Sequence, residues 1–239
     1  MHSHKWMSAS VLTVLLAMGS TVSNAEPRIG TAASTRPNAE VVSGGNTQTL
    51  SAGGEIYANQ TVRTGNRGMA DLVFLDQTNL SVGPTSEVRL DKFVYDPTGS
   101  SGSVVLQATR GTFRFVTGSQ AKHAYQVSTP HGTLGVRGTV VELLVNKPGE
   151  ECVTKLRLVE GEAEYRIAKT GRVARLRDPN RNNVACVTPS GEVRYSTSTQ
   201  SILSFSTTTA PPPAAPSFIP GGGTTPIAPP PVVSPTRPL

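Results

Sequence analysis

The chain has little of what active sites are made from. Its 239 residues include four histidines and two cysteines, and aromatic side chains account for only 5%. Two of the histidines sit at positions 2 and 4, which leaves His123 and His131 for the body of the chain. They are eight apart, with no acidic residue between or beside them, and the nearest cysteine, Cys152, is distant. That is poor spacing for a metal site. No Gly-x-Ser-x-Gly elbow is present. Asp71 and Asp76 have odd spacing across one strand, so they point to opposite faces and form no acid–base pair. Asp76-Gln77-Thr78-Asn79 reads as a turn without calcium-loop spacing. The expectation is a protein with no catalytic residue, no metal and no cofactor, in which His131 serves a turn. An enzyme acting on the envelope would have to rest on His131.

Long apolar runs are also missing. Ser8 to Met18 is the longest candidate, and it falls short of the roughly 20 residues that span a bilayer. With Lys5 before it and Ser23-Asn24-Ala25 after it, this segment reads as a secretory signal cleaved before Glu26. No cysteine follows that site to carry a lipid. The mature protein is therefore expected outside the cytoplasm, periplasmic or secreted to the cell surface, with no membrane span. In an oxidising compartment Cys152 and Cys186 are expected to pair, the alternative being two buried thiols.

Charge is present but uneven. Residues 26–154 carry eleven basic and eleven acidic side chains, whereas residues 155–194 carry nine and five. Arg166, Lys169, Arg172, Arg175, Arg177 and Arg181 face only Asp178. Two readings stay open: a surface for an anionic envelope polymer or acidic protein face, or arginines that keep a strand edge from pairing with another chain. Nucleic acid is excluded by export and by the lack of interleaved aromatics other than Tyr165.

What the chain does have is period-two alternation broken by Gly-Thr steps. Residues 69–76, 80–83, 87–91, 104–107, 112–116, 125–128, 133–136 and 140–145 read as strands, and no comparable window has helical periodicity. Arg110-Gly111-Thr112 recurs as Arg137-Gly138-Thr139 and more weakly as Glu160-Gly161-Glu162, at intervals of 27 and 23 residues. A glycine followed by a strand suits the corner of a winding β coil. The expected fold is all-β, a short β-solenoid or β-roll, with a β-sandwich as the alternative. Residues 26–52 read as a flexible lead-in with one short strand at Glu40-Val41-Val42, 53–145 as the main domain and 146–198 as its β extension. Residues 199–239 read as a disordered tail, Ser/Thr-rich and then Pro/Gly-rich, holding eleven of the nineteen prolines from position 211 onward.

Several ordered segments now carry a family resemblance: 59–65 (Asn-Gln-Thr-Val-Arg-Thr-Gly), 70–87, 93–97 (Phe-Val-Tyr-Asp-Pro), 111–118, and Ser128-Thr129-Pro130 leading to Gly135-Val136-Arg137-Gly138-Thr139. Together they resemble a FecR domain over about residues 53–145, with a looser extension to about 197. The resemblance implies a periplasmic sensing module. In the founding type that module belongs to a membrane-spanning regulator, which listens to an outer-membrane iron–siderophore receptor and controls a sigma factor. With only a signal before residue 26, this chain is expected to resemble the stand-alone exported members instead.

The leading functional expectation is a non-catalytic protein that binds an envelope protein or anionic envelope polymer. The alternative is a structural envelope or surface-layer component with the Pro-rich stretch as its stalk. His131, Arg137 and Arg110 form one candidate recognition face, and Arg166, Lys169, Arg172, Arg175 and Arg177 another. For Arg137 the plainer reading is a ladder with Arg110 or a pair with Glu142.

Overall fold

The computed structural model describes residues 26–98, 102–121 and 123–203. The expected signal, 1–25, and the Pro-rich stretch from 204 onward lie outside the described residues. Regular structure among the described residues is all strand: β1 (Arg28–Arg36), β2 (Ala39–Ser43), β3 (Asn46–Thr49), β4 (Glu55–Tyr57), β5 (Thr61–Thr64), β6 (Met69–Phe74), β7 (Asn79–Val82), β8 (Glu87–Val94), β9 (Ser103–Val116), β10 (Tyr125–Thr129), β11 (Gly132–Val145), β12 (Thr154–Ile167), β13 (Val173–Leu176), β14 (Val184–Val187) and β15 (Val193–Ser196). No helix there is long and apolar enough to cross a membrane.

Three strands, β9, β11 and β12, are each 14 residues long, and the repeated glycine lies inside each. Gly111, Gly138 and Gly161 all have positive φ, at 99°, 59° and 78°. At each one the buried positions change parity. In β9 they run Val104, Leu106, Ala108 and then Phe113, Phe115; in β11, Leu134, Val136 and then Val141, Leu143, Val145; in β12, Leu156, Leu158 and then Ala163, Tyr165, Ile167. Side chains alternate faces along a strand, so a slip of one residue moves the apolar set to the other face. A bulge with a left-handed glycine supplies that slip and bends the strand. Register irregularities at Arg137/Val140 and Val140/Val141 mark one of these sites.

The bends divide the hydrogen bonding. One half of the sheet runs β4, β1, β6, β7, the C-terminal part of β9, the C-terminal part of β11, the N-terminal part of β12, β14 and β15. The other runs β3, β2, β5, β8, the N-terminal part of β9, β10, the N-terminal part of β11, the C-terminal part of β12 and β13. The three long strands join them into one mixed, unclosed sheet, in which β3, β4, β13 and β15 each have a single partner. Leu80, Phe113, Phe115 and Leu143 of the first half line the same small internal void as Val88, Leu106, Val127 and Leu134 of the second. The halves therefore face each other across one apolar core, where each fully buried Leu or Phe contributes roughly 1.5–3 kcal/mol.

Only β9–β10 pairs in parallel among the described strands, with Tyr125 opposite Val104. The strands carrying the repeat pair with one another antiparallel, β9 with β11 and β11 with β12. The repeated glycines are bends in long strands that share edges, and the one parallel contact is where the chain winds back beside itself.

Two boundaries differ from expectation. The lead-in, 26–52, is structured: it contains β1, β2 and β3, and Ile29, Ala32, Ala39, Val41 and Leu50 are buried. Small residues hid β1, whereas β2 covers the short strand expected at residues 40–42. β1 lies between β4 and β6, and Gly30 is so close to the Val73 carbonyl that a Cβ there would collide with it. At the other end, Ser201 and Ile202 hydrogen-bond Glu142 and Leu203 is buried.

Candidate functional site

Each glycine bend leaves ladder groups unpaired, and a nearby hydroxyl serves them. Ser86 Oγ accepts from the Thr112 amide at 3.0 Å beside Gly111. Thr139 Oγ1 accepts from the amides of Arg137 (3.1 Å) and Glu162 (3.2 Å) and donates to the Glu162 carbonyl at 2.6 Å. Thr139 thus ties β11 to β12 where both strands bend.

A second polar centre fixes the connection between β9 and β10. Asp76 is fully buried. It accepts from the Thr78 amide and hydroxyl at 3.0 and 2.7 Å and from the Tyr125 hydroxyl at 3.0 Å. The Tyr125 oxygen accepts in turn from the Gln120 amide at 2.8 Å. Burial, reinforced by the nearby Asp76 charge, pushes the Tyr125 phenol up to about 12. Burial likewise raises the pKa of Tyr165, whose hydroxyl meets Thr129 at 2.7 Å.

The third centre is Glu142, which is wholly buried although it faces away from the core side of β11. Register sets Arg114 and Arg157 on either side of it. Its Oε1 accepts from Arg114 Nη1 (3.1 Å) and the Ser201 hydroxyl (2.7 Å), and its Oε2 from Arg157 Nη1 (3.0 Å) and the Ile202 amide (2.8 Å). Arg157 also donates to the carbonyls of Ser198 and Thr199, and Asn183 bonds Ser198 through both amide atoms. Residues 198–203 therefore form a strap over the Arg114–Glu142–Arg157 row, and the strap buries the carboxylate. Glu142 does not pair with Arg137. The signal in the sequence was a single acid inside the run Val140-Val141-Glu142-Leu143-Leu144-Val145, which requires buried cations to accompany it.

Two open grooves among the described residues hold basic residues singled out in the sequence. The first, about 500 Å³, lies at the β10–β11 turn and is lined by Pro130, His131, Val153, Ile167, Lys169 and Pro189, among others. The second, about 370 Å³, lies on the outer face of β10, β11 and β12, where Gln126, Thr133, Gly135, Arg137, Glu164 and Arg166 line it.

The basic residues expected to act together are dispersed over these features. His131 and Lys169 meet in the first groove; the turn bonds come from the His131 backbone, whose amide donates to Thr129 Oγ1 and whose carbonyl accepts from Ala168. Arg137 and Arg166 meet in the second groove. Arg110 is elsewhere, bonded to Glu87 at 3.3 Å, and makes neither a ladder with Arg137 nor a common face with it. Arg175 and Arg177 pair with Glu164 at 3.0 and 3.9 Å. Arg172 and Arg175 lie at the free edge made by β13, where the Arg175 amide is covered by the Tyr195 hydroxyl at 3.2 Å. Cys152 and Cys186 are joined as a disulfide, with Cα atoms 5.3 Å apart. No group of three or more potential metal-ligating side chains converges among the described residues.

These features define an all-β, disulfide-linked domain whose accessible features are grooves and strand edges. Residues 60–164 match the family described as FecR protein. No curated protein matches the chain. Two crystal structures of a candidate anti-sigma factor from Parabacteroides distasonis ATCC 8503 are similar to 57% of it, at 14% identity and a TM-score of 0.45. The chain spans 59% of the length of that protein.

Proposed function

We propose that this chain is a non-catalytic regulatory module of the cell envelope, working outside the cytoplasm, whose FecR domain binds an envelope protein or anionic envelope polymer. The FecR match over residues 60–164 carries the reading, because the family is one of envelope signalling regulators. The Cys152–Cys186 disulfide supports an oxidising compartment. We read the scaffold as a short β-roll, with the glycine bends as its corners. Contacts to a partner are assigned to Arg137 and Arg166 on the outer groove, to His131 and Lys169 on the end groove, and to Arg110, Arg172, Arg175 and Arg177 at the margins.

The test is capture from envelope extract with the full-length protein as bait. A saturable partner, lost on replacing both Arg137 and Arg166 by Ala, is the expected result. Absence of any saturable protein or polymer partner would overturn the proposal. A structural role as a stalked envelope component is the second reading, favoured by the strap that ties residues 198–203 to the sheet directly before the Pro-rich stretch. Deleting 207–239 distinguishes the two: loss of envelope attachment with partner capture unchanged supports the stalk.

A further inference from the structure

Gly132, Gly135 and Gly138 fall three apart in β11, and the fold accounts for two of them. A Cβ at Gly132 would collide with the Arg166 carbonyl and the Tyr165 ring. Gly138 has a left-handed φ of 59°. Gly135 has neither reason. Its φ is not in the left-handed range, and a Cβ there would meet only the Glu164 carbonyl, at 3.9 Å, an ordinary contact. Glycine inside a strand costs roughly 0.5–1 kcal/mol relative to alanine. It often marks a place where a ligand or another backbone approaches closely. Apart from that carbonyl, no described atom lies within 4 Å of where the Cβ would stand.

The surroundings indicate what would. Leu134 and Val136 point into the core, so Gly135 faces outward and forms a notch in the 370 Å³ groove. Its cross-strand neighbours are Gln126 and Glu164. Among the described residues, the Arg137 and Arg166 guanidinium groups make no ion pair, while Glu164 is already neutralised by Arg175 and Arg177. The groove thus offers two uncommitted planar cations beside an amide, a hydroxyl and a carboxylate. The notch also lies on the face of the sheet. There the backbone groups are used in ladders with β10 and β12, whereas an extended peptide would be held by main-chain bonds at an edge. A face of this kind suits a ligand that brings its own hydroxyls and anionic groups.

We propose that the groove over Gly135 is a subsite for an acidic glycan. A sugar ring lies across the Gly135 notch, Arg137 and Arg166, on the ladder positions to either side of it, take carboxylates of the glycan, and Gln126, Thr133 and Glu164 receive its hydroxyls. The proposal rests on the binding role argued above and names its ligand class.

The experiment is isothermal titration of the full-length protein at low and moderate salt with three probes: a hexamannuronate, the neutral maltohexaose and a poly-glutamate peptide. Saturable binding of the hexamannuronate alone is expected. Gly135→Val should weaken it at least tenfold without lowering Tm, and Arg137→Ala and Arg166→Ala should each weaken it about tenfold. Equal binding by wild type and Gly135→Val would overturn the proposal by placing the sugar elsewhere, as would poly-glutamate binding as tightly as the glycan. An envelope protein captured equally by wild type and Gly135→Val would leave the regulatory reading standing and sink the glycan site.

Discussion

Arg157 donates to Glu142 at 3.0 Å across β11 and β12, and the same guanidinium reaches the Ser198 and Thr199 carbonyls of the strap. One ion pair thus joins the sheet to the segment that leads out of the domain. Removing one member of a buried pair costs on the order of 3–5 kcal/mol when the other is left uncompensated; Glu142 keeps Arg114 at 3.1 Å, which sets the loss of Arg157 at the lower end of that range. Arg157→Met should therefore lower stability by an amount of that order, read by urea unfolding. It should also release the strap, so that the Ile202 amide exchanges rapidly with deuterium. A slow Ile202 amide in this variant would show that the strap is held by something other than the pair.

The glycines supply an internal control. Gly161 has a positive φ, and a Cβ there would collide with the Gly138 carbonyl, so Gly161→Ala should destabilise by more than the roughly 1 kcal/mol of an ordinary glycine effect. Gly135→Ala makes only an ordinary contact with the Glu164 carbonyl and should stabilise by about 0.5–1 kcal/mol. Thermal unfolding of both variants checks the pair. A destabilised Gly135→Ala would mean that the fold itself requires this glycine.

Much of the architecture was legible because the bends leave a mark in the sequence. The apolar positions of β9, β11 and β12 reverse parity at Gly111, Gly138 and Gly161, and a strand pattern that changes face at a glycine encodes a bulge. The pairing partners of those strands were not legible, since a repeated bend is compatible with stacked parallel rungs or with antiparallel neighbours. β1 was missed for a different reason: Gly30 and Ala32 bury the chain through closeness of backbone, which hydrophobic periodicity does not register. At the candidate site, the residue types were readable and their grouping was not. Arg110 and Arg137 occupy equivalent places in the repeat, yet Arg110 is bonded to Glu87 while Arg137 makes no ion pair among the described residues.

The disulfide joins the segment before β12 to β14, 34 residues apart in sequence. Constraint of the unfolded chain by a loop of that size stabilises by about 3–4 kcal/mol in the entropic account. The double replacement Cys152→Ser, Cys186→Ser should lower stability by about that amount. Its first effect should be loss of hydrogen-exchange protection in β14 and β15, the outer strands that the bridge secures. Unchanged urea midpoints for the oxidised and double-Ser proteins would show that β14 is held by its ladder alone.

Tyr125 gives the domain a pH dependence whose sign follows from its surroundings. Its phenol is pushed up to about 12 in the folded protein, chiefly by burial and then by the Asp76 charge, against an ordinary value near 10. The folded state therefore keeps a proton that the unfolded chain releases first. The resulting stability is fully present below about pH 10 and is lost as pH rises toward 12. Tyr125→Phe removes this contribution and leaves Asp76 without one of its donors, a cost of about 1–3 kcal/mol. Urea unfolding between pH 8 and 11 should show wild-type stability falling more steeply than that of the Phe variant at the alkaline end, so that the two curves converge. Parallel curves would mean that Tyr125 titrates alike in the folded and unfolded states, and that the Asp76–Tyr125 bond does not hold the phenol neutral.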